Sequence, residues 1–307
     1  MNPKLSIIVC TYNPKQSIFE PCLKGIAQAC KTMQPKEIVL VDNNSNNGFS
    51  SMDYVKSFVA ETKAKLVVET KQGLTPARLK GIEETTGDIL LYIDDDNYIP
   101  TNFFAEGIRI AIENPHIGAW SGQVKLQFEK KPEDWTHRYW GMLVYRTFDR
   151  DVWSNFPHMG ETMPCGAGLF VRRHVADHYL GLHHQGKRSI QLDRSGASLF
   201  SGGDNDLAAC ACDLGMGVGL FKDLILDHFI PSNRITLGYL LKLAEGISAS
   251  AIVFKSLRGE IPMKPAFKTH LANALRLVLK SNTDRAFYRA VLRGEALGRN
   301  MLSNIKS

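Results

Sequence analysis

Four apolar runs, each followed by a segment of helical spacing, constrain this chain more than any other feature. The runs are Leu5–Cys10, Glu37–Val41, Leu66–Glu69 and Ile89–Ile93. Between them lie Ser17–Lys31, Met52–Glu61 and Pro76–Thr85, and Asn102–Glu113 follows after Pro100. The third helical segment has Thr75 in place as N-cap and Pro76 at the first helical position. Short strands alternating with helices predict β-α-β units on a parallel sheet. Runs without polar alternation predict a sheet covered on both faces. The expected class is therefore α/β, a mostly parallel central sheet flanked by helices.

The rest of the chain is less regular. Leu169–Val171 reads as a strand, Asp204–Asp213 as a helix and Gly219–Leu226 as a further apolar stretch. After Pro231 the spacing is helical throughout, with Phe267, Leu271, Leu275 and Val278 on one face and Arg276 and Lys280 opposite. The 307 residues suffice for one large domain or two ordinary ones. A division at residue 232 is expected: a catalytic part over 1–232, with halves at about 1–125 and 126–232, then a basic helical region over 233–307.

Composition excludes several classes. With 44% hydrophobic and 22% charged residues the chain is not a disordered one. It lacks an uninterrupted apolar run of about 18 residues, so no transmembrane helix is expected. Met1–Lys4 leads directly into the first strand, so no cleavable leader is expected. Six cysteines show no C-x-x-C pair, which predicts reduced thiols in a cytoplasmic setting. Residues 255–307 hold 11 Lys/Arg against 3 Asp/Glu, whereas the remainder holds 26 against 28. A near-neutral body with a basic tail argues against a nucleic-acid enzyme. It argues for a tail that docks on something anionic, such as the inner face of a cell membrane.

Ligands of open α/β sheets sit at the carboxyl ends of the strands. The first strand ends in Thr11-Tyr12-Asn13-Pro14, the second in Asp42-Asn43-Asn44-Ser45 and the fourth in Asp94-Asp95-Asp96-Asn97. Neither G-x-G-x-x-G nor G-x-x-x-x-G-K-[ST] is present, so the dinucleotide and P-loop readings lack their phosphate cradle. Three adjacent carboxylates delivered by an apolar strand repel one another unless a cation sits among them. A small set of hard oxygen ligands suits Mg²⁺ or Mn²⁺. The competing reading is a solvated acidic turn. A second signal is Gly202-Gly203-Asp204-Asn205-Asp206-Leu207, where a carboxylate opens a helix after a glycine pair. Asp204 there suits either a cleft base or a simple N-cap.

With these pieces in order, the sequence resembles the family-2 glycosyltransferases, inverting enzymes with the Rossmann-like nucleotide-sugar fold called GT-A. The resemblance rests on residues 11–14 (TYNP), 41–45 (VDNNS), Ala77-Arg78, 87–97 (GDILLYIDDDN), 166–173 (GAGLFVRR) and 201–207 (SGGDNDL), and spans about two-thirds of the chain. It implies a nucleotide-sugar donor, UDP-linked by default, and a saccharide or lipid-linked saccharide acceptor. The setting it implies is assembly of a bacterial surface polysaccharide. Thr11, Tyr12, Asn13, Asp42, Asn43, Arg78, Asp94 and Asp95 are the implied donor-nucleotide residues, with Tyr12 near the base. Asp96, Asp94 and a C-terminal histidine, His228, are the implied ligands of Mn²⁺ or Mg²⁺. Asp204 matches the catalytic base, although Gly203 stands where the family usually has Glu, and Asp206 is the substitute supporting charge. Gly166, Ala167 and Gly168 match the stretch lining the acceptor pocket.

The aromatic-rich segment 130–160 adds Trp135 and Trp140 as acceptor contacts, against the alternative that they are core. Arg234 is placed near a phosphate. His183 and His184 are assigned to a mobile loop over Gly181–Ser198. Two rivals from other classes stay open: a nucleotidyltransferase, and a non-catalytic nucleotide- or sugar-binding module.

Overall fold

A computed structural model describes residues 2–157, 160–188, 192, 200–260, 263, 267–278 and 280–303. The chain forms two compact units. One comprises residues 1–191 and 203–231, the other residues 192–202 and 232–307.

The first unit opens with β1 (Leu5–Thr11), α1 (Gln16–Thr32), β2 (Glu37–Asp42), α2 (Asp53–Thr62), β3 (Lys65–Val68), α3 (Leu74–Glu83) and β4 (Ile89–Asp94). It continues with β5 (Asn97–Tyr98), α4 (Phe103–Glu113), β6 (Ile117–Phe128), β7 (Val152–Ser154), β8 (Leu169–Arg172), α5 (Arg173–His184), α6 (Gly203–Asp213) and β9 (Gly217–Ile230). The strands join one sheet in the order β3-β2-β1-β4-β8-β6-β9-β5, with β7 also on β9. The first four strands are parallel, as their apolar runs predict, and β1 is buried along its whole length. Beyond β4 the sheet is mixed: β8 runs antiparallel to β4 and β6, and β9 parallel to β6.

Register places the site. In β1, Thr11 lies opposite Asp42 of β2, and Cys10 opposite Asp94 of β4. Three polar strand ends therefore meet at one level of the carboxyl edge. The core beneath them is built from Ile7, Val9, Leu40, Leu91 and Ile93, closed by Phe19, Phe103, Phe104 and Trp120. Trp120 stacks on Phe170 with ring centroids 5.5 Å apart.

Several local expectations are corrected. Helix α3 begins at Leu74, with Gly73 rather than Thr75 as N-cap. Gly73 has φ 129°, open to glycine, and its N–H donates to Asn43 Oδ1 at 2.8 Å, which fixes the helix start two residues early. His183 and His184 end helix α5 instead of lying in a loop. Val175, Ala176 and Tyr179 bury one face of that helix, and Tyr179 packs against the His183 ring. Of the remaining expected loop, residues 189–191 and 193–198 lie outside the described residues. His228 sits within β9.

The second unit contains α7 (Leu237–Leu257), α8 (Phe267–Val278) and α9 (Asn282–Ser303). Thr236 caps α7 by accepting from the Tyr239 N–H at 3.3 Å. Helices α7 and α9 pack closely together: a Cβ on Gly294 would stand 2.2 Å from the Glu245 carbonyl oxygen and one on Gly298 2.6 Å from that of Ala249. Arg293 Nε donates to Glu245 Oε2 at 2.9 Å across the pair. By length and composition α7 is apolar enough to cross a membrane, with a mean hydropathy of 1.4, although Lys242 and Glu245 interrupt it. Of the four residues predicted to share a face of α8, Leu275 is 63% exposed; the side chains of Phe267, Leu271 and Val278 lie outside the described set.

Candidate active site

The site grows from the turn after β4. Asp94 ends the strand, Asp95 and Asp96 make the turn, and β5 returns at once. The fully buried Asn97 holds this turn together. Its Oδ1 accepts from the Asp94 N–H at 3.3 Å, and its Nδ2 donates to Asp96 Oδ1 at 3.2 Å. Asp95 is held from the neighbouring strand, its Oδ2 accepting from Thr11 Oγ1 at 2.6 Å. The three carboxylates are thus aimed differently despite being consecutive.

Asp96 meets His228. Strands β5 and β9 pair through Asn97 opposite His228, and His228 Nε2 stands 3.3 Å from Asp96 Oδ2. The other ring nitrogen, Nδ1, lies 3.1 Å from the carbonyl of Leu143. A carbonyl only accepts, so Nδ1 carries the proton there. In the neutral ring Nε2 is then a lone pair facing a carboxylate oxygen. Two acceptors at that distance repel unless a proton or a metal ion stands between them. A carboxylate and an oriented imidazole, with Asp94 close by, fit a divalent metal ion such as Mn²⁺ or Mg²⁺.

Arg78, on α3 and only 4% exposed, places Nη2 3.8 Å from Asp94 Oδ1. Withdrawal from bulk water pushes the Asp94 carboxyl above its ordinary pKa. The Arg78 charge opposes that shift, while Asp96 and Asp204 add to it. This mutual influence ties Arg78, Asp94, Asp96, Asp204 and His228 into one cluster.

Asp204 enters from the start of α6. The Gly166 N–H donates to its Oδ2. A methyl on residue 166 would stand 2.6 Å from Arg78 Nη2 and 3.1 Å from Asp204 Oδ2, so the glycine lets the cation and the carboxylate flank one strip of backbone. Asn205 Nδ2 adds a bond to the Pro164 carbonyl at 3.0 Å. Ala167 and Gly168 are buried behind Gly166 and lead into β8.

At the β1 and β2 ends, Asp42 Oδ1 accepts from the Ser45 N–H at 2.9 Å, and Ser45 Oγ accepts from the Asn13 N–H at 2.8 Å. Tyr12 is 51% exposed above this loop. Asn43 is turned inward: both N–H groups of its amide are spent on the carbonyls of Glu69 and Lys71. It ties the loop before α3 to the end of β2.

The remaining expected residues sit on other elements. Trp135 and Trp140 belong to the 3-10 stretch Asp134–Leu143. Their indole N–H groups donate to Glu133 and Thr136, and Trp140 packs on Phe128 with centroids 4.8 Å apart. That stretch reaches the site through the Leu143 carbonyl on His228. Asp206 is 2% exposed and its Oδ2 accepts from Arg188 Nε at 2.7 Å. Arg234 lies in the second unit. None of the six cysteines is in a disulfide. Asn97, Leu143 and Arg188 were missed by sequence reasoning. Only Asn97 had a signal, its place directly after the triplet.

Comparison with known proteins bears on the fold and the family. The chain is 25% identical over 146 residues to an N-acetylglucosaminyltransferase of Azorhizobium caulinodans, covering 46% of this chain and 36% of that protein. It is 30% identical over 94 residues to glycosyltransferase AglE of Haloferax volcanii, covering 31% of each. The chain thus spans about a third of the length of these curated relatives. Among solved structures, a mannosyltransferase of Pyrobaculum calidifontis in complex with GDP-Man and Mn²⁺ superposes with TM-score 0.56 at 16% identity. That match covers 97% of this chain and 88% of that one. GalNAc-T7 with UDP, GalNAc and Mn²⁺ matches with TM-score 0.54 at 13% identity, over 99% of this chain and 57% of that one. These likenesses show the GT-A fold. The sequence model described as Glycosyl transferase family 2 matches residues 6–180, more than half of the chain. With that match added to the strand-end carboxylates and the sheet order, the chain belongs to glycosyl transferase family 2.

Proposed function

We propose that this chain transfers a sugar from a nucleoside diphosphate sugar to an acceptor hydroxyl, with inversion at the anomeric carbon and with a divalent ion bound. The observation that carries the reading is the meeting of Asp94, Asp96, His228 and Arg78 with Asp204 at the carboxyl edge of the sheet. The first four are a phosphate and metal apparatus. Asp204 is a carboxylate set for proton transfer.

Asp96 and His228, with Asp94, would hold Mn²⁺ or Mg²⁺, and the solved neighbours carry Mn²⁺. Such an ion neutralises charge on the leaving diphosphate. Arg78 supplies a fixed positive charge beside the same phosphates. Tyr12 offers an exposed ring to the base, while Asp42 and Asn43 shape the loop around it and Asp95 faces the ribose. Asp204, with Oδ2 fixed by Gly166, takes the acceptor proton on Oδ1 as the acceptor oxygen attacks. One displacement inverts the configuration. Gly166, Ala167 and Gly168 let the acceptor approach the backbone, with Trp135 and Trp140, on the stretch whose Leu143 carbonyl holds His228, as the proposed acceptor contacts.

UDP is the proposed nucleotide, with a saccharide or lipid-linked saccharide acceptor and a role in bacterial surface-glycan assembly at the cytoplasmic membrane face. Calorimetric titration with UDP, GDP, dTDP and CDP, each with Mn²⁺ and with EDTA, tests the donor half. Binding of one nucleotide that EDTA abolishes is the expected result. Binding of none would remove the transferase reading in favour of a non-catalytic module. Conversion of a nucleotide-sugar and added pyrophosphate into a nucleoside triphosphate and a sugar 1-phosphate would instead favour a nucleotidyltransferase.

The basic region 233–307 is proposed to rest on anionic lipid. Co-sedimentation with phosphatidylserine vesicles at low salt, lost at high salt, is the expected outcome. An absence of binding at low salt would dismiss it.

A further inference from the structure

Away from the strand-end site, helices α5 and α6 bring His178, Cys210 and Asp213 together. One nitrogen, one sulfur and one carboxylate oxygen from these residues all lie within 4.8 Å of one another. Cys210 and Asp213 are three residues apart on α6, so they share a face of that helix. His178 comes from α5, which packs against it. We propose that these three side chains form a second metal site, for a zinc-type ion, separate from the site at Asp96 and His228.

Chemistry selects the ion. Thiolate and imidazole are donors that zinc and its neighbours in the first transition row prefer, whereas Mg²⁺ and Mn²⁺ prefer oxygen. The two sites therefore sort different ions. A dication balances one thiolate and one carboxylate, with a neutral imidazole completing the set. Binding forms a metal–sulfur bond and releases the Cys210 thiol proton to water.

Geometry agrees. His178 Nε2 is 3.7 Å from Asp213 Oδ2. In a tetrahedral zinc site with metal–ligand bonds of about 2.0–2.3 Å, neighbouring ligand atoms stand about 3.3–3.8 Å apart. For a nitrogen and an oxygen ligand the spacing is about 3.3–3.5 Å, so the pair stands slightly open, and small side-chain rotations bring all three ligand atoms onto one ion. Cys210 is fully buried, while the His178 and Asp213 side chains are 33% and 34% exposed. The cluster thus has a dry floor and an open side, which admits the ion and leaves its fourth position to water. The bland reading is a core cysteine beside a surface His–Asp contact, and it predicts no bound metal. Asp213 lies at the opposite end of α6 from Asp204, about 14 Å along the helix. A metal there pins the far end of the helix that carries the proposed base.

Cobalt substitution in the full chain tests the assignment without an activity assay. Thiolate-to-cobalt charge transfer absorbs in the near ultraviolet, whereas oxygen and nitrogen ligands give no such band. The carboxylate site is therefore silent. We expect one band-bearing equivalent of Co²⁺ per chain, displaced by Zn²⁺. The band should vanish in Cys210→Ser and persist in Cys212→Ser. Asp213→Asn, a change at a partly exposed position that the fold should tolerate, should weaken Co²⁺ binding by at least about tenfold while leaving Mn²⁺-dependent nucleotide binding intact. No charge-transfer band in the parent chain overturns the proposal, as does a band that survives Cys210→Ser or an unchanged affinity in Asp213→Asn.

Discussion

Asp204→Asn should reduce sugar transfer by a factor of about 10²–10⁴, the usual contribution of a general base, with nucleotide affinity unchanged. The substitution is nearly isosteric. An Asn oxygen still accepts from the Gly166 N–H, so the start of α6 and the Gly166 strip keep their positions. What is lost is the ability to take a proton. Kinetics separate this from a binding defect: kcat falls, while UDP affinity measured by calorimetry with Mn²⁺ stays within about twofold. Transfer at the parental rate would show that another group is the base. A collapse of UDP affinity would show instead that Asp204 serves the donor pocket. Asp206 is poorly placed to stand in as base. It is buried to 2% exposure, and its carboxylate is neutralised by Arg188. That pair gives the α6 start a buried anchor, with Gly203 standing at the position usually held by Glu.

The parallel half of the sheet was legible because β1, β2 and β4 are buried and read as apolar runs, whereas the edge strand β3 is half open, with Val68 53% exposed. β1 is buried from Leu5 to Thr11 and β2 from Ile38 to Asp42. The same logic located the carboxyl edge, since Thr11, Asp42 and Asp94 are the first polar residues to follow those runs. β6 escaped because it changes character midway. It is buried up to Gly122, then alternates with exposed Lys125 and Gln127. The start of α3 escaped because Asn43, 30 residues earlier in the chain, fixes Gly73. Within the site, sequence order named the carboxylates but not their division of labour. That division depends on Asn97 folding the turn, on Leu143 orienting His228 and on Arg188 engaging Asp206. Each is a contact between segments whose spacing carries no local signal.

Gly122→Ala should be the most damaging single-methyl change to the fold, and the reason connects the sheet to the metal ligands. Strands β6 and β9 pair Gly122 with Phe221, then Gln123 with Ile225, so residues 222–224 bulge out of the ladder. A Cβ on residue 122 would stand 1.8 Å from the Leu224 carbonyl oxygen and 2.7 Å from its carbonyl carbon. Those are backbone atoms, so no rotamer change relieves the clash; the bulge itself must move. Overpacking in a core costs about 1–3 kcal/mol when side chains can yield. With backbone in the way we expect more than about 3 kcal/mol, seen as a fall in Tm of at least about 6 °C. Gly141→Ala is the matched control. Nothing lies within 4 Å of its added methyl, and its Tm should stay near the parent's. The bulge also sets the register of the second half of β9, where Leu126 pairs with His228 and His228 with Asn97. A displaced β9 therefore moves His228 away from Asp96. Gly122→Ala protein that remains folded at low temperature should bind UDP more weakly with Mn²⁺ than the parent does. An unchanged Tm would mean that the bulge relaxes freely. A lowered Tm with unchanged Mn²⁺-dependent UDP binding would mean that Asp96 alone, and not its pairing with His228 across β5 and β9, holds the ion.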